Sequence, residues 1–466
     1  MRRVKLFAII SLIILLSGCY GRYGPRISKS EIPADTPAEV KIRIEWLYSS
    51  SAKKRVEGVK SLGMMGEKAM PAVPFLVGML EDYHYETNKP FCCYYMDPCG
   101  TSFCVLGRRV APRSRSVAAN TVKALNIIGD PRAIKPLLLT WKNAGHRGFL
   151  SVTFSFRAMT QNSIKRIILK NGSDSLLEAM KSKNYEVREA SASIISTLRY
   201  PPLPTRYGRI RPELGPMPPV RPLTKEASEV EEKSIKFKKM LMTATVEPLI
   251  GLLENDEAKE VRAAAAKTLG ELNYHRALRP LVAALKDDDE EVREAAANAL
   301  GYFRDVSAIE QLGFALKDDY AKVRKSAAQA LGKYKDSSVV EHLAFALEDD
   351  DVYVRRAVVM ALKEKGSDAA AFVPALISAL NDDDERVRLN AIQALANLSD
   401  FLAVRPLIDL LEREVEDDCK PKKYINFCTY ISDSLRLLTG ERYGQNPASW
   451  LKWYEENEKG LPDKIK

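Results

Sequence analysis

The chain has 466 residues, a formal net charge of +10 and only four histidines. This length exceeds what one compact hydrophobic core usually supports, so we expect either several domains or an architecture that grows by adding units. The histidines, His84, His146, His275 and His342, lack metal-ligand or catalytic-triad spacing, and no phosphate-binding glycine loop or nucleophile elbow is present. The sequence therefore predicts no enzyme, no cofactor and no metal site.

Residues 1–18 have the parts of an export signal. A basic start containing Arg2, Arg3 and Lys5 precedes an apolar run, residues 6–16, that is too short to span a membrane. The following Leu16-Ser17-Gly18-Cys19 matches the bacterial lipobox, although an ordinary secretory signal followed by a chance cysteine is the alternative. The match predicts that Cys19 is the lipidation site, carrying acyl chains such as palmitate that anchor the protein in a lipid bilayer. We expect a location in the bacterial cell envelope, at the outer membrane or the cell surface.

Residues 19–36 are predicted to be the lipidated N-terminus and a tether, because Gly21, Gly24, Pro25 and Pro33 disfavour regular structure. Residues 37–200 then carry a degenerate pattern of paired helices. Residues 55–66 and 116–129 keep only an Ala/Val/Leu stripe and a terminal Gly, whereas Glu186-Val187-Arg188-Glu189-Ala190 is closer to the pattern found further along the chain.

An insertion at residues 83–113 interrupts these helices. In an exported protein its four cysteines favour disulfides within the insertion over zinc, since Cys-Cys-x5-Cys-x4-Cys lacks Cys-x2-Cys pairs. Aromatic and arginine side chains on such a loop suit contact with a partner protein, and a lid packed on neighbouring helices is the other interpretation. The candidate disulfide residues here are Cys92, Cys93, Cys99 and Cys104, and the candidate partner contacts are Tyr94, Tyr95, Arg108, Arg109 and Arg113.

Residues 201–225 form a proline-rich spacer, with eight prolines between residues 201 and 222. Such a stretch is expected to be extended, and it would separate two helical regions or dock a partner.

Residues 226–412 contain regular repeats marked by the dipeptide Val-Arg, at Val261, Val292, Val323, Val354 and Val387. Each Arg is preceded by an Asp six residues earlier and followed by a Leu seven residues later. In residues 277–306 the Asp run 287–289 is expected to cap a second helix, and Gly301 to supply its left-handed stop. We predict that the forked Arg side chains bridge carboxylates and turn carbonyls of neighbouring repeats in a structural ladder. The ladder residues are Asp256, Arg262, Asp287, Arg293, Asp318, Arg324, Asp349, Arg355, Asp382 and Arg388.

The pattern Asp318…Val323-Arg324…Ala327-Ala328…Ala330-Leu331-Gly332 resembles the HEAT-repeat family, in its phycobilisome-lyase-like variety. The resemblance covers residues 246 to about 412 strongly and 37–200 weakly, where position 182 is Ser instead of Asp. It implies an all-α fold, an α-solenoid forming a right-handed superhelix of HEAT-like helical hairpins with irregular loop insertions.

Together with the lipobox, the resemblance implies a non-enzymatic scaffold or adaptor that binds proteins or peptides in the envelope and no nucleic acid. One alternative is a HEAT-like enzyme of the bilin lyase or metal-dependent type. The other is a binder of acidic envelope polymer, since residues 20–240 carry 37 Lys and Arg against 20 Asp and Glu.

Residues 413–466 are predicted to be a capping segment. Asn446-Pro447 is a good helix start, and Trp450 and Trp453 share one face of that helix. We expect these tryptophans to close the open end of the stack, with an aromatic ligand site as the minor alternative. A further disulfide is predicted between Cys419 and Cys428.

Overall fold

The computed structural model describes residues 24–80, 116–144, 150–198, 225–365, 372–398, 400–416 and 426–458, without the side chains of 150–155 and 225–238. Its regular elements within those ranges are helices, and no β-strand occurs there. The chain divides into two compact units, Met1–Pro248 and Leu249–Lys466. Both consist of antiparallel helix pairs stacked side by side, so the predicted α-solenoid is confirmed.

The first unit has a series of helix pairs preceding the long helix α9. In the pairs α1/α2, α5/α6 and α7/α8 the two helices pack on each other, and α2 also packs on α4. The helices are α1 (Ala38–Leu47), α2 (Ala52–Met64), α3 (Val73–Gly78), α4 (Val117–Ile128), α5 (Ile134–Ala144), α6 (Leu150–Asn171), α7 (Asp174–Met180), α8 (Tyr185–Leu198) and α9 (Lys225–Asn255).

The second unit repeats a short first helix and a longer second helix. The second helices α10, α12, α14, α16 and α18 pack on one another in sequence. The helices after α9 are α10 (Lys259–Leu272), α11 (Leu278–Ala284), α12 (Glu290–Phe303), α13 (Ile309–Ala315), α14 (Ala321–Gly332), α15 (Val339–Phe345), α16 (Val352–Lys365), α17 (Val373–Ser378), α18 (Glu385–Leu398), α19 (Val404–Glu416), α20 (Phe427–Thr439) and α21 (Pro447–Glu458).

The core of the second unit lies between the two layers of helices. The Val of every Val-Arg dipeptide is fully buried, and so is the Leu that follows each Arg by seven residues. A helix pair of this size cannot cover both apolar stripes by itself, so stacking supplies the missing contacts. None of the described helices combines the length and the apolar character needed to cross a bilayer.

The second helix of the repeat at residues 277–306, α12, begins as predicted and ends differently. Asp289 caps α12 by accepting a hydrogen bond from the amide of Glu291 at 2.9 Å. The predicted stop at Gly301 is wrong, because α12 continues to Phe303 and the left-handed residue is Arg304, with φ of +54°. Gly301 instead lies where the next second helix passes, since a Cβ there would be 3.1 Å from the Cα of Ala330.

Residues 24–31, within the predicted tether, lie against the first helix pairs. The Tyr48 hydroxyl donates a hydrogen bond to the carbonyl of Ile27, and the Lys29 ammonium lies 5.2 Å from the centre of the Tyr48 ring. Gly78 approaches the same segment so closely that a Cβ would lie 2.7 Å from the amide nitrogen of Arg26. A free tether would not make these contacts. The local composition does not reveal them, because the packing partners lie far along the chain.

The C-terminal helix α21 packs on α19. Trp450 is fully buried and its indole N–H donates to the carbonyl of Gly444 at 2.8 Å. Phe401 stacks on Tyr454 with 5.6 Å between ring centroids, and it lies 6.0 Å from Trp453. Trp450 and Trp453 thus take part in packing at this helix, and their role as an end cap stays a prediction.

Candidate functional site

The Arg of each Val-Arg dipeptide binds the turn of its own repeat through Nη1. The Nη1 of Arg324 donates to the carbonyls of Asp318, at 2.9 Å, and Asp319, at 3.3 Å. Arg262, Arg293, Arg355 and Arg388 make the same pair of contacts.

The first unit keeps this contact where the sequence pattern is weak. Arg188 donates to the carbonyl of Ser182 at 2.8 Å, and Arg55 donates to that of Ser49 at 2.8 Å. The backbone of the turn is the acceptor, so the contact does not require an Asp at that position.

The remaining nitrogens of each Arg reach the Asp of the following repeat. Nε and Nη2 of Arg324 donate to the two carboxylate oxygens of Asp349 at 2.7 and 2.8 Å. The same forked geometry joins Arg262 to Asp287, Arg293 to Asp318 and Arg355 to Asp382. The ladder therefore runs in one direction along the stack, from each Arg to the next Asp.

The ladder carboxylates also hold their own turns. Oδ1 of Asp349 accepts the amide of Asp351 at 2.9 Å, and Asp318 accepts that of Tyr320 in the same way. Burial, the largest single effect, raises the pKa of Asp349, but its hydrogen bonds from Arg324 and from the amide of Asp351, combined with the positive charge of Arg324, bring the pKa below its usual value. The pKa of Asp318 is likewise lowered by Arg293 against the effect of burial. The ladder is thus an array of ionised, hydrogen-bonded pairs that hold consecutive repeats together.

The last guanidinium of the series meets an aromatic ring. Arg388 lies 5.0 Å from the centre of the Phe427 ring at the start of α20. A cation over a ring face is favourable. The irregular pair α19/α20 is therefore joined to the regular repeats by a contact of a different kind.

The outward face of the second helices takes part in neither the core nor the ladder. We call it the ridge, and it consists of residues spaced three or four apart on each helix, which places them on one face. None of them is buried. The ridge residues are Glu260, Ala263, Lys267 and Glu271; Glu291, Glu294, Asn298 and Tyr302; Lys322, Lys325, Gln329 and Lys333; Tyr353, Arg356, Met360 and Glu364; and Arg386, Leu389, Gln393 and Asn397.

Three large side chains of the ridge are more than half exposed. Tyr302 is 51% exposed, Tyr353 59% and Met360 52%. Each tyrosine has a cation at its ring, with the Lys333 ammonium 4.6 Å and the Arg356 guanidinium 5.4 Å from the respective ring centre. Sequence reasoning missed these residues. Alignment of the repeats on Val-Arg would have found them, because the buried positions keep one residue type while the ridge positions vary.

Charge changes sign between neighbouring helices of the ridge. The face of α12 presents Glu291 and Glu294, and the face of α14 presents Lys322 and Lys325 at the corresponding positions. The ridge therefore offers an acidic strip beside a basic strip, with the exposed aromatic residues on either side.

Most of the other predicted site residues lie outside the described residues. These are Cys19, the four cysteines and five partner-contact residues of the insertion, and Cys419. Cys428 is fully buried in α20, and its pairing with Cys419 stays a prediction. In the part of the chain that the structure describes, no group of three or more His, Cys, Asp or Glu side chains is arranged to hold a metal ion.

Comparison with known families identifies the repeats. The model of HEAT repeats matches three overlapping segments, residues 246–332, 278–362 and 340–420. No curated protein matches the chain significantly. The predicted resemblance is thus confirmed for the regular repeats, which include the whole ladder and the whole ridge.

Solved structures are similar to the chain in their repeat architecture. Yeast importin-beta (Kap95p) is 14% identical, with a TM-score of 0.45, and the alignment covers 92% of this chain and 55% of that one, so the chain spans about half its length. An engineered protein is 17% identical, with a TM-score of 0.41 and coverage of 87% and 98%. The CpcE–CpcF complex of phycocyanin lyase from Nostoc sp. PCC7120 is 18% identical, with a TM-score of 0.32 and coverage of 57% and 94%.

Proposed function

We propose that this chain, whose residues 246–420 are HEAT repeats, is a non-enzymatic scaffold that holds a partner protein along the ridge. The observation that carries the proposal is the set of exposed Tyr302 on α12 and Tyr353 and Met360 on α16, the two second helices on either side of α14. The fold does not require these side chains, since the core and the ladder are complete without them.

The chemistry of the ridge suits a protein partner. Tyrosine gives up little conformational freedom for the area that it covers, and tyrosine and arginine dominate the binding energy of many interfaces. Lys333 and Arg356 lie beside the two tyrosine rings, which limits the motion of the rings before a partner arrives. A surface ordered in advance loses less entropy on binding.

The charge pattern of the ridge gives the partner a direction. A segment that crosses α12 and α14 would place a basic residue against Glu291 and Glu294 and an acidic residue against Lys322 and Lys325. Reversing the segment would bring like charges together, which is unfavourable. The ridge therefore favours one orientation of an extended segment that has basic residues at one end and acidic residues at the other.

Photocrosslinking in intact bacteria tests the role of the ridge. We expect a photoreactive phenylalanine analogue at position 302 or 353 to give crosslinked adducts of discrete mass. The same analogue at position 345 is the matched control, because Phe345 is 81% exposed on the first helix α15 and lies off the ridge. Equal labelling at position 345, or no adduct at 302 and 353, would contradict the proposal.

We further propose that the scaffold is anchored in the bacterial envelope through lipidated Cys19, on the strength of the sequence Leu16-Ser17-Gly18-Cys19. In a bacterium that expresses the chain, Cys19→Ala is expected to abolish incorporation of an alkyne-tagged palmitate and to move the protein out of the membrane fraction. Tyr20→Ala is the control and should keep both properties. Membrane association that survives Cys19→Ala would argue for a different anchor.

A further inference from the structure

A groove of about 960 Å³ lies between the first helices α11 and α13, on the layer that does not carry the ridge. The second helices of the same repeats meet closely, since a Cβ on Gly301 of α12 would lie 3.1 Å from the Cα of Ala330 on α14. A curved stack brings the helices of one layer together and leaves a groove between the helices of the other layer. The groove is therefore part of the repeat geometry and is not formed by one mobile loop.

The groove combines an apolar wall with several cations. Leu278, Val282 and Ala283 of α11 supply the apolar part. Arg276 lies in the turn before that helix, Arg279 on it and Lys286 in the turn after it. Gln311 and Ser307 face them from α13 and the turn before it. Arg279 and Lys286 are seven residues apart, two helical turns, which separates them by about 10 Å along one face.

These cations stand out against their surroundings. Residues 241–466 carry 41 Asp and Glu against 31 Lys and Arg, and the capping turns and the ladder account for many of the acids. Arg279 and Lys286 take no part in the ladder, and neither forms an ion pair with any residue that the structure describes. Neither helix capping nor the stacking of repeats explains the positive charge of this groove. An acidic ligand would complement that charge.

The groove is not uniformly cationic, and this narrows the choice of ligand. At one end Asp305 lies 3.8 Å from Nδ1 of His275. Hydrogen bonds from the hydroxyl and the amide of Ser307 lower the pKa of Asp305, so it is charged at neutral pH. A uniform polyanion would meet repulsion there and would leave the accessible Val282 and Ala283 without an apolar partner. A ligand with an apolar face and acidic flanks satisfies both parts of the groove.

We infer that this groove docks an acidic amphipathic segment of a partner protein, with carboxylates at Arg279 and Lys286 and apolar side chains at Val282 and Ala283. The groove would be an interaction surface separate from the ridge. Binding would be moderate and sensitive to salt, because both cations are exposed.

The test is a fluorescence anisotropy titration of the whole protein with a labelled synthetic peptide. The peptide has about 14 residues, with leucines at helical spacing on one face and glutamates on both sides. The double variant Arg279→Glu/Lys286→Glu should raise Kd at least about tenfold, since it removes two ion pairs and places like charges opposite the glutamates of the peptide. Arg279→Gln/Lys286→Gln should give a smaller rise, and circular dichroism should match the unaltered protein for both variants.

The control variant is Lys317→Glu, the equivalent of Lys286 one repeat further along and outside the groove. It should leave Kd unchanged within about twofold. An equal loss with Lys317→Glu, or equal binding of a peptide in which serine replaces every leucine, would overturn the inference in favour of general attraction for polyanions. A dimer in sedimentation that Arg279→Glu dissociates would also overturn it, because a second copy of the chain would then occupy the groove.

Discussion

Replacing Arg324 by methionine is expected to destabilise the second unit by about 2–4 kcal/mol, the range in which breaking a mostly buried ion pair falls. Arg324 donates to Asp349 at 2.7 and 2.8 Å and to the carbonyl of Asp318 at 2.9 Å. The side chain of Asp349 is only 8% exposed, so removal of its partner leaves a poorly solvated carboxylate between two repeats. The measurement is the shift of the urea midpoint at pH 7 by circular dichroism.

Two further variants distinguish the stability that comes from the forked contacts of Arg324 from the effect of a positive charge alone. Lys325→Met removes a cation from the neighbouring ridge position and is expected to change stability by less than about 0.5 kcal/mol. Arg324→Lys keeps the charge but loses the fork, and it should fall between the other two. If Arg324→Met were no worse than Lys325→Met, the ladder would contribute nothing measurable to stability.

The pH dependence of the same variant gives an independent test. In the unaltered protein the pKa of Asp349 is lowered, so its contribution is present above the carboxyl's ordinary value of about 4 and is lost as the pH falls through the folded value. Without Arg324, burial would raise the pKa of Asp349, and protonation would relieve the cost of the buried charge. We therefore expect the difference in stability between the two proteins to shrink as the pH falls from about 7 to about 4.

The start of α12 and the contact of each ladder Arg with a turn carbonyl depend on residues a few positions apart, so the sequence could indicate them. Asp289 caps α12 within a single turn, and Arg324 reaches the carbonyl of Asp318 within its own repeat. The direction of the ladder could not be predicted, because it depends on the side of the stack on which the next repeat lies. Position 182 shows the same limit, since Arg188 keeps its turn contact with Ser in place of Asp.

The role of the terminal glycine was predicted wrongly for a reason visible in the sequence. A Gly after a helical apolar stripe is typical of a left-handed stop, yet apolar residues continue two positions beyond it at Leu272 and Phe303. Those residues extend the helix, and Asn273 and Arg304 take the left-handed conformation instead. A stop and a site of close approach both call for glycine, and only the neighbouring repeat distinguishes them.

Some candidate binding residues could be identified from the sequence, and others could not. Attention to irregular segments led to the insertion at residues 83–113, whose role stays a prediction. The ridge belongs to the most regular part of the chain, and its aromatic residues Tyr302 and Tyr353 are separated by 51 positions. They share one surface because the repeats stack in register, and composition taken segment by segment does not reveal such a surface.

Substitution of Gly270 by alanine should cost about 1–3 kcal/mol, because the added methyl group overpacks the contact between α10 and α12. A Cβ at position 270 would lie 2.5 Å from both Cα and Cβ of Ala299, and a backbone atom cannot move aside as a flexible side chain can. Gly301→Ala should cost less, since its Cβ would meet Ala330 at 3.1 Å. Thermal and urea unfolding of the purified protein should rank the two variants in that order.

The matched control is Gly251→Ala. Gly251 lies within the helix α9, and a Cβ there would meet nothing within 4 Å. Alanine should stabilise the helix at this position by up to about 1 kcal/mol, because it restricts the unfolded chain and favours helical backbone. The same chemical change is thus expected to have opposite signs at the two glycines. A loss of stability at position 251, or no loss at 270, would mean that backbone propensity, and not the approach of consecutive second helices, determines why glycine occupies positions 270, 301 and 332.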